Sequence, residues 1–132
     1  MTREEIEQMQ AGNKMNSLVA MKVLNWSLTG DELIGCVVDG RQVQPGDVLY
    51  LSEDGDAYWS APNFSERIEY AWQVVEKMRE NKSWFGVSVD SVNEGYWVSE
   101  FVTDNDTVSF VSAETAPLAI CRAALIAFLE AE

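Results

Sequence analysis

The sequence contains no histidine. Histidine is the commonest general base and metal ligand, and it completes the Ser-His-Asp and Cys-His catalytic groups. Its absence excludes both of those enzyme classes, and we expect a protein that is not an enzyme and that carries no cofactor. The two cysteines, Cys36 and Cys121, lack the C-x-x-C spacing of a zinc site. Each lies among apolar neighbours, which predicts two buried, reduced thiols, with a disulfide as the alternative.

Long hydrophobic runs are also missing. No segment approaches eighteen consecutive apolar residues, which excludes a transmembrane helix. The first ten residues are charged and contain no apolar stretch of the kind found in secretory signals. A length of 132 residues with 47% apolar content suits one globular domain, so we expect a single domain over residues 1–132 in the cytoplasm.

Basic residues are scarce, with nine lysines and arginines against 22 acids, for a net charge of −13. The excess is local: residues 27–56 and 83–132 carry it, whereas residues 1–26 and 57–82 are balanced. Such a field repels phosphate backbones and anionic lipids, so we expect no direct contact with nucleic acid or membrane. It favours a basic protein partner. The sequence does not set an oligomeric state.

Helical patterns occupy both ends of the chain and its middle. Thr2 precedes a first helix as part of a capping box, and a second follows from about residue 14 to residue 26. Ser65 is the predicted cap of a third helix, whose apolar stripe includes Trp72. Thr115 and Pro117 begin a final helix that is apolar nearly all round, which is typical of a helix sandwiched between other elements.

Strand patterns fill the rest. Residues 28–60 are turn-rich and β-like, and three strands are predicted over residues 84–92, 96–102 and 107–113. Asn93-Glu94-Gly95 and Asp104-Asn105-Asp106 supply the turns of an antiparallel meander. Both alternating sets of the middle strand contain apolar residues, so we expect helices to cover the sheet on both faces. The fold class is α+β.

Three segments resemble the phage ABA sandwich domain family: residues 2–26, residues 62–80 with Ala71-Trp72-Gln-Val-Val-Glu-Lys, and residues 107–128. The closing stretch Glu114-Thr-Ala-Pro-Leu-Ala-Ile-Cys-Arg-Ala-Ala-Leu is the most specific of the three. The resemblance implies a three-layer α/β/α sandwich, encoded by a phage or prophage and located in the cytoplasm of the bacterial host, with no established activity. Residues 28–60 do not match the family pattern and are interpreted as an inserted acidic β-hairpin region.

One candidate binding surface lies in that region. Glu53, Asp54 and Asp56 form an acidic run beside the loop aromatics Tyr58 and Trp59. The run lacks the twelve-residue ligand spacing of an EF-hand, so we expect an ordinary acidic turn and no metal. Exposed aromatic residues favour interfaces, and the two rings predict a contact site, with a hydrophobic plug under the loop as the alternative.

Arg122 is the second candidate, because it is the only charge between Thr115 and Leu129. An arginine on an apolar helix extends to the surface, pairs with a carboxylate such as Glu100, or faces an anionic ligand.

Three functions are compatible with these features. The first is binding to a bacterial host protein through the acidic region and the loop aromatics. The second is sequestration of a small molecule, such as a nucleotide signal of bacterial defence, in a pocket lined by aromatics and Arg122. The third is DNA mimicry, which needs rows of acids at about phosphate spacing.

Overall fold

The computed structural model describes residues 1–80, 83–103 and 108–131. In this part of the chain it contains four helices: α1 (Arg3–Gln8), α2 (Asn13–Leu18), which continues as a π-helical turn over Val19–Val23, α3 (Ile68–Glu80) and α4 (Ala116–Ala131). The same residues form eight strands: β1 (Ser27–Thr29), β2 (Val37–Val38), β3 (Arg41–Gln42), β4 (Leu49–Leu51), β5 (Ala57–Tyr58), β6 (Trp84–Val89), β7 (Trp97–Val102) and β8 (Val108–Ala113).

Helix α4 is the centre of the core. Every residue from Leu118 to Ala127 is buried. One side of the helix packs on β7 and β8, and the other sides contact α1, the π-helical turn and α3. The helix begins as predicted, because the Thr115 hydroxyl oxygen accepts a hydrogen bond from the backbone N–H of Leu118 at 3.4 Å. The prediction of a sandwiched helix is confirmed. None of the described helices is long and apolar enough to span a membrane.

The predicted meander is also confirmed, as the antiparallel sheet β6–β7–β8. Its covered face includes Phe101 and Val111, which are buried in the core with α4. Its other face carries Trp84 and Phe110, which are 76% and 53% exposed. The expected helical cover on that second face, and with it the three-layer sandwich, is therefore not confirmed. The turn predicted at residues 104–106 lies outside the described residues.

Residues 28–60 form short strands that belong to two separate sheets. Strands β1, β4 and β5 make a three-stranded sheet, and β2 pairs with β3 across a tight turn. The turn residues Asp39 and Gly40 have φ values of 50° and 79°, which suits the two-residue turn that joins twisted antiparallel strands. The acidic run lies in the turn between the antiparallel strands β4 and β5, but residues 28–60 as a whole are divided between two sheets, so the prediction of one inserted acidic β-hairpin region is not confirmed.

The prediction that Ser65 caps α3 is wrong. The helix begins at Ile68, and the Ser65 side chain serves a different element. Its hydroxyl accepts a hydrogen bond from the N–H of Gly12 at 2.9 Å and donates one to Asn16 Oδ1 at 2.7 Å. Asn16 also accepts from the Ser65 N–H at 2.9 Å. Local spacing suggested a cap, but the hydroxyl joins the start of α2 to the segment before α3.

Two burial predictions also need correction. The buried stripe of α3 consists of Ala71, Val74, Val75 and Met78. Ala71, Val75 and Met78 were predicted on this stripe, whereas Trp72 is 47% exposed, contacts Phe85 edge to face at the margin of the sheet and leaves the buried place to Val74. Of the two free cysteines, Cys121 is buried as expected, but Cys36 is exposed in the short segment before β2.

Candidate functional site

A concave acidic site lies between the β4–β5 turn and the outer face of α3. Its volume is about 300 Å³. We call it the acidic cavity; its walls are Leu24, Trp26, Ser52, Glu53, Asp54, Asp56, Tyr58, Gln73, Glu76, Lys77 and Glu80. Five of these residues are acids and one is basic, so the local formal charge is strongly negative.

The sequence builds one wall as a tight turn. The Ser52 N–H donates to the Asp56 carbonyl at 2.8 Å, and the Asp56 N–H donates to the Ser52 hydroxyl at 3.1 Å. Gly55 closes the turn at a φ of 90°, in the left-handed region that favours glycine. These bonds hold Glu53 and Asp54 at the exposed tip, beside α3. The opposite wall is helical, because residues 73, 76, 77 and 80 recur at three- and four-residue steps on one face.

Two aromatic residues, Trp26 and Tyr58, line the cavity. The rings of Trp26 and Tyr58 are stacked, with centroids 5.0 Å apart and planes 12° from parallel. Trp26 also contacts the fully buried Phe64 edge to face, which fixes the stack to the core. Stacked aromatic faces attract cations through their electron-rich surfaces. A cavity lined by both carboxylates and aromatic rings is suited to a basic side chain.

Among the described residues, Lys77 is the only cation in the cavity lining. Its ammonium donates to both carboxylate oxygens of Glu53, at 3.1 and 3.3 Å, and lies 3.6 Å from the Glu80 carboxylate. The hydrogen bond from Lys77, aided by one from Asn25, lowers the pKa of Glu53. The bond to Glu53 in turn raises the pKa of Lys77. Arg79, which lies outside the lining, also pairs with Glu76 at 3.3 Å, but these two bases do not balance five carboxylates, so the formal charge around the cavity stays negative.

Tyr58 and Trp59 are neighbours in the sequence, but only Tyr58 lines the acidic cavity. Trp59 borders a second cavity of about 560 Å³, and Tyr58 lines both. The Trp59 indole N–H donates to the Val38 carbonyl at 2.7 Å, and the Arg41 guanidinium lies 4.1 Å from the ring centroid. Trp59 therefore ties the β2–β3 hairpin to the domain and is half-buried. Its role as a contact residue stays a prediction.

Arg122 does not line the acidic cavity. It lies beside the end of α1 and strand β8. It is 5% exposed and donates to two backbone carbonyls: Nε and Nη2 to Met9 at 3.1 and 2.8 Å, and Nη1 to Ser112 at 3.0 Å. Desolvation lowers its pKa. Glu100 is not its partner, since that carboxylate lies over Gly86 on the exposed face of the sheet. The guanidinium borders a third cavity with Glu7 and Tyr96.

The structure thus brings Glu53, Asp54, Asp56 and Tyr58 into one site and places Trp59 and Arg122 outside it. Sequence reasoning missed Trp26 and Lys77. The apolar pattern of the second predicted helix, which ends at residue 26, predicts a core position for Trp26, but its side chain is only partly buried. The polar stripe of α3 at positions 73, 76, 77 and 80 was a usable signal for the second wall. Within residues 1–80, 83–103 and 108–131, no group of three or more potential ligands is arranged to hold a metal ion.

Comparison with known proteins gives one match. The sequence model of the phage ABA sandwich domain family matches residues 17–125 of this chain, including residues 28–60. No curated protein and no solved structure matches the chain.

Proposed function

Because the chain belongs to the phage ABA sandwich domain family, we propose that it is a phage-encoded, non-enzymatic protein that binds a basic surface of a bacterial host protein. The observation that carries the proposal is the acidic cavity. Its five carboxylates and the stacked rings of Trp26 and Tyr58 line the same volume of about 300 Å³. That volume can accept a lysine or arginine side chain presented by a partner.

The chemistry of the cavity supports a cationic occupant. Carboxylates bind guanidinium and ammonium groups by charge-assisted hydrogen bonds, and Arg pairs with a carboxylate through two parallel bonds. The rings of Trp26 and Tyr58 add a cation–π contact to the guanidinium or ammonium group of the partner. Lys77 neutralises part of the charge and holds Glu53 in place, so the remaining acids are oriented before a partner arrives. A negative patch also speeds encounter with a positive one.

The other two hypotheses receive less support. The nucleotide hypothesis relied on Arg122, and three of its N–H groups are already directed at the carbonyls of Met9 and Ser112. DNA mimicry needs acids in long rows on one face, whereas the acidic cavity gathers them in a concave site. Both hypotheses remain open to test by thermal-shift screening with nucleotides and by competition for DNA-binding host proteins.

The proposal is tested by affinity capture from lysate of the bacterial host. The cavity variant carries Glu53→Gln, Asp54→Asn and Asp56→Asn, which remove three charges and preserve side-chain size. The matched control carries Asp31→Asn, Glu32→Gln and Glu94→Gln, which remove three exposed charges outside the cavity.

We expect the wild type and the control to retain the same host protein and the cavity variant to lose it. Because both variants have the same net charge, a general electrostatic effect would weaken both equally. Equal retention by all three proteins, or equal loss from both variants, would contradict the proposal.

A further inference from the structure

Strand β6 leaves one edge of its sheet without a neighbour. It is the first strand in the order β6–β7–β8 and pairs only with β7 among the described strands. The hydrogen bond from the Asp90 N–H to the Tyr96 carbonyl, at 2.9 Å, extends the ladder by one pair. Backbone groups alternate in direction along an antiparallel strand. The N–H and C=O groups of Phe85, Val87 and Val89 therefore point outward, away from β7.

The opposite edge of the sheet is guarded. The Arg3 guanidinium donates to the Phe110 carbonyl at 3.1 Å, and Arg122 donates to the Ser112 carbonyl at 3.0 Å. These two carbonyls are two residues apart on β8, so both face its outer edge. Charged side chains at an edge prevent pairing with another chain. The edge of β8 is thus closed to a further strand.

Among the described residues, no charged side chain guards the edge of β6 through a hydrogen bond of this kind. Its sequence, Trp-Phe-Gly-Val-Ser-Val, contains no charged residue, in a protein with a net charge of −13. Trp84 and Val89 are 76% and 63% exposed, and Val87 is 38% exposed. A long, apolar, uncharged edge strand is the type of edge that pairs with another strand. Something is therefore expected to occupy it.

We propose that β6 pairs antiparallel with β6 of a second copy of this chain, about a two-fold axis that passes next to Val87. The two-fold axis stands normal to the sheet, so each face continues across the interface. Val87 then lies opposite Val87 of the second copy, and Phe85 lies opposite Val89. All three are outward-directed positions, and each such pair exchanges two backbone hydrogen bonds. The two sheets become one continuous six-stranded sheet.

The strand is self-complementary in three respects. In the proposed register, each outward-pointing N–H or C=O group of Phe85, Val87 and Val89 pairs with a complementary backbone group of the second copy. None of these groups remains unpaired. Its facing side chains are apolar on both sides, as favourable cross-strand pairs require. Its lack of charge also permits close approach of two acidic molecules at this strand.

The size of the contact predicts a weak dimer. A stable complex buries about 800 Å² on each partner, and pairing of two six-residue edges buries less than that. Association should therefore depend on concentration. It should also strengthen as salt is added, because salt screens the repulsion between two molecules of charge −13.

Sedimentation velocity over a wide range of protein concentration tests the proposal. The wild type should shift from 14.8 kDa towards twice that mass as concentration rises. Val87→Lys places two like charges opposite each other and should remain at the monomer mass. Val87→Thr keeps a β-branched side chain without charge and should dimerise within about threefold of the wild type. Far-ultraviolet circular dichroism checks that each variant is folded.

Disulfide trapping tests the register without relying on Val87→Lys. In a Cys36→Ser background, which removes the exposed native thiol, Val87→Cys should form a dimer under mild oxidation. The two positions would be about 5.5 Å apart between Cα atoms, within the range that a disulfide spans. The control Val89→Cys is more exposed than position 87. It should cross-link far more slowly, because its copies would lie four residues out of register.

Each outcome decides the proposal. A concentration-dependent dimer, lost in Val87→Lys and trapped selectively at position 87, supports it. A monomer at every concentration and salt level overturns it, as does a dimer that cross-links equally at both positions. Addition of a host protein's strand to monomeric β6 would also overturn it and assign the edge to a different partner.

Discussion

Replacing Arg122 with methionine should destabilise the protein strongly, although Arg122 lies outside the acidic cavity. Methionine keeps the apolar stem but removes three hydrogen bonds, to the carbonyls of Met9 and Ser112. A buried acceptor left unsatisfied costs about 1–3 kcal/mol. Two such carbonyls set the loss at about 2–4 kcal/mol, since water can reach them in part from the cavity of about 320 Å³ that borders Arg122. For a domain of this size the melting temperature should fall by about 7–14 °C.

Urea unfolding measures this loss, and Arg122→Lys is the informative control. A lysine ammonium is compact and can serve one of the two carbonyls, so its loss should be intermediate. The opposite reading is that Arg122 is held for an anionic ligand. In that case methionine, which is easier to bury, would leave the free energy of unfolding unchanged or raise it. A change of less than about 0.5 kcal/mol for Arg122→Met would refute our account of this residue.

Three further predictions follow from other contacts of the fold. Asn16→Leu strands the Ser65 N–H and hydroxyl and should lower the free energy of unfolding by about 2–4 kcal/mol in urea titrations, with Ser65→Ala costing less. Trp59→Phe loses the indole hydrogen bond and weakens the contact with Arg41, and it should cost about 1 kcal/mol, with faster proteolysis at the β2–β3 hairpin. Glu53→Gln should lower the melting temperature at neutral pH, and the difference from the wild type should shrink as the pH falls through the lowered pKa of Glu53, because the protonated carboxyl no longer forms an ion pair with Lys77.

The direction of that pH dependence follows from the two pKa shifts. The pKa of Glu53 is below its ordinary value of 4.5, so its contribution is present above that pH and disappears as the pH falls through the folded-state pKa. The pKa of Lys77 is above its ordinary value of 10.5, so the same contribution is lost again as the pH rises through that higher pKa. A melting difference between wild type and Glu53→Gln that stays constant as the pH is lowered well below 4.5 would contradict this assignment. Equal unfolding by Ser65→Ala and Asn16→Leu would contradict the account of Asn16, and unchanged proteolysis would contradict that of Trp59.

Regular, strongly patterned elements were predictable from the sequence. Helix α4 is apolar on all sides, and only a position inside the core accommodates such a helix, so its burial followed from composition alone. The meander followed from three strand-like runs with turn residues between them, and its register Trp97↔Ala113 places Phe101 inward. Local signals and long-range packing agree in both cases.

Other features depend on contacts between distant segments. Ser65 has the chemistry of a helix cap, but Asn16, 49 residues earlier, competes for its hydroxyl in the folded chain. Trp72 is apolar and helical, yet α3 is rotated so that smaller residues face the crowded central helix and the large ring packs at the margin. The sequence pattern contains neither the competition nor the rotation.

The candidate site was predictable only in part, for the same reason. The acidic run and Tyr58 are close in sequence, and their association with one another was expected. The wall from α3 and the stacking of Trp26 on Tyr58 join segments that are distant in the sequence, as the pairing of Lys77 with Glu53, 24 residues earlier, illustrates. For Arg122, the sequence identified the residue but not its partners. Its isolation on an apolar helix marked it as unusual, and its partners are backbone carbonyls.

The most direct test of the proposed function is the dissociation constant of the captured host protein for three forms of this chain, measured by isothermal titration calorimetry at one salt concentration. The cavity variant with Glu53→Gln, Asp54→Asn and Asp56→Asn should bind at least about tenfold more weakly than the wild type, because it loses charge-assisted bonds to the basic group. The control with Asp31→Asn, Glu32→Gln and Glu94→Gln should stay within about twofold. Equal dissociation constants for the two variants would contradict the acidic cavity as the binding site.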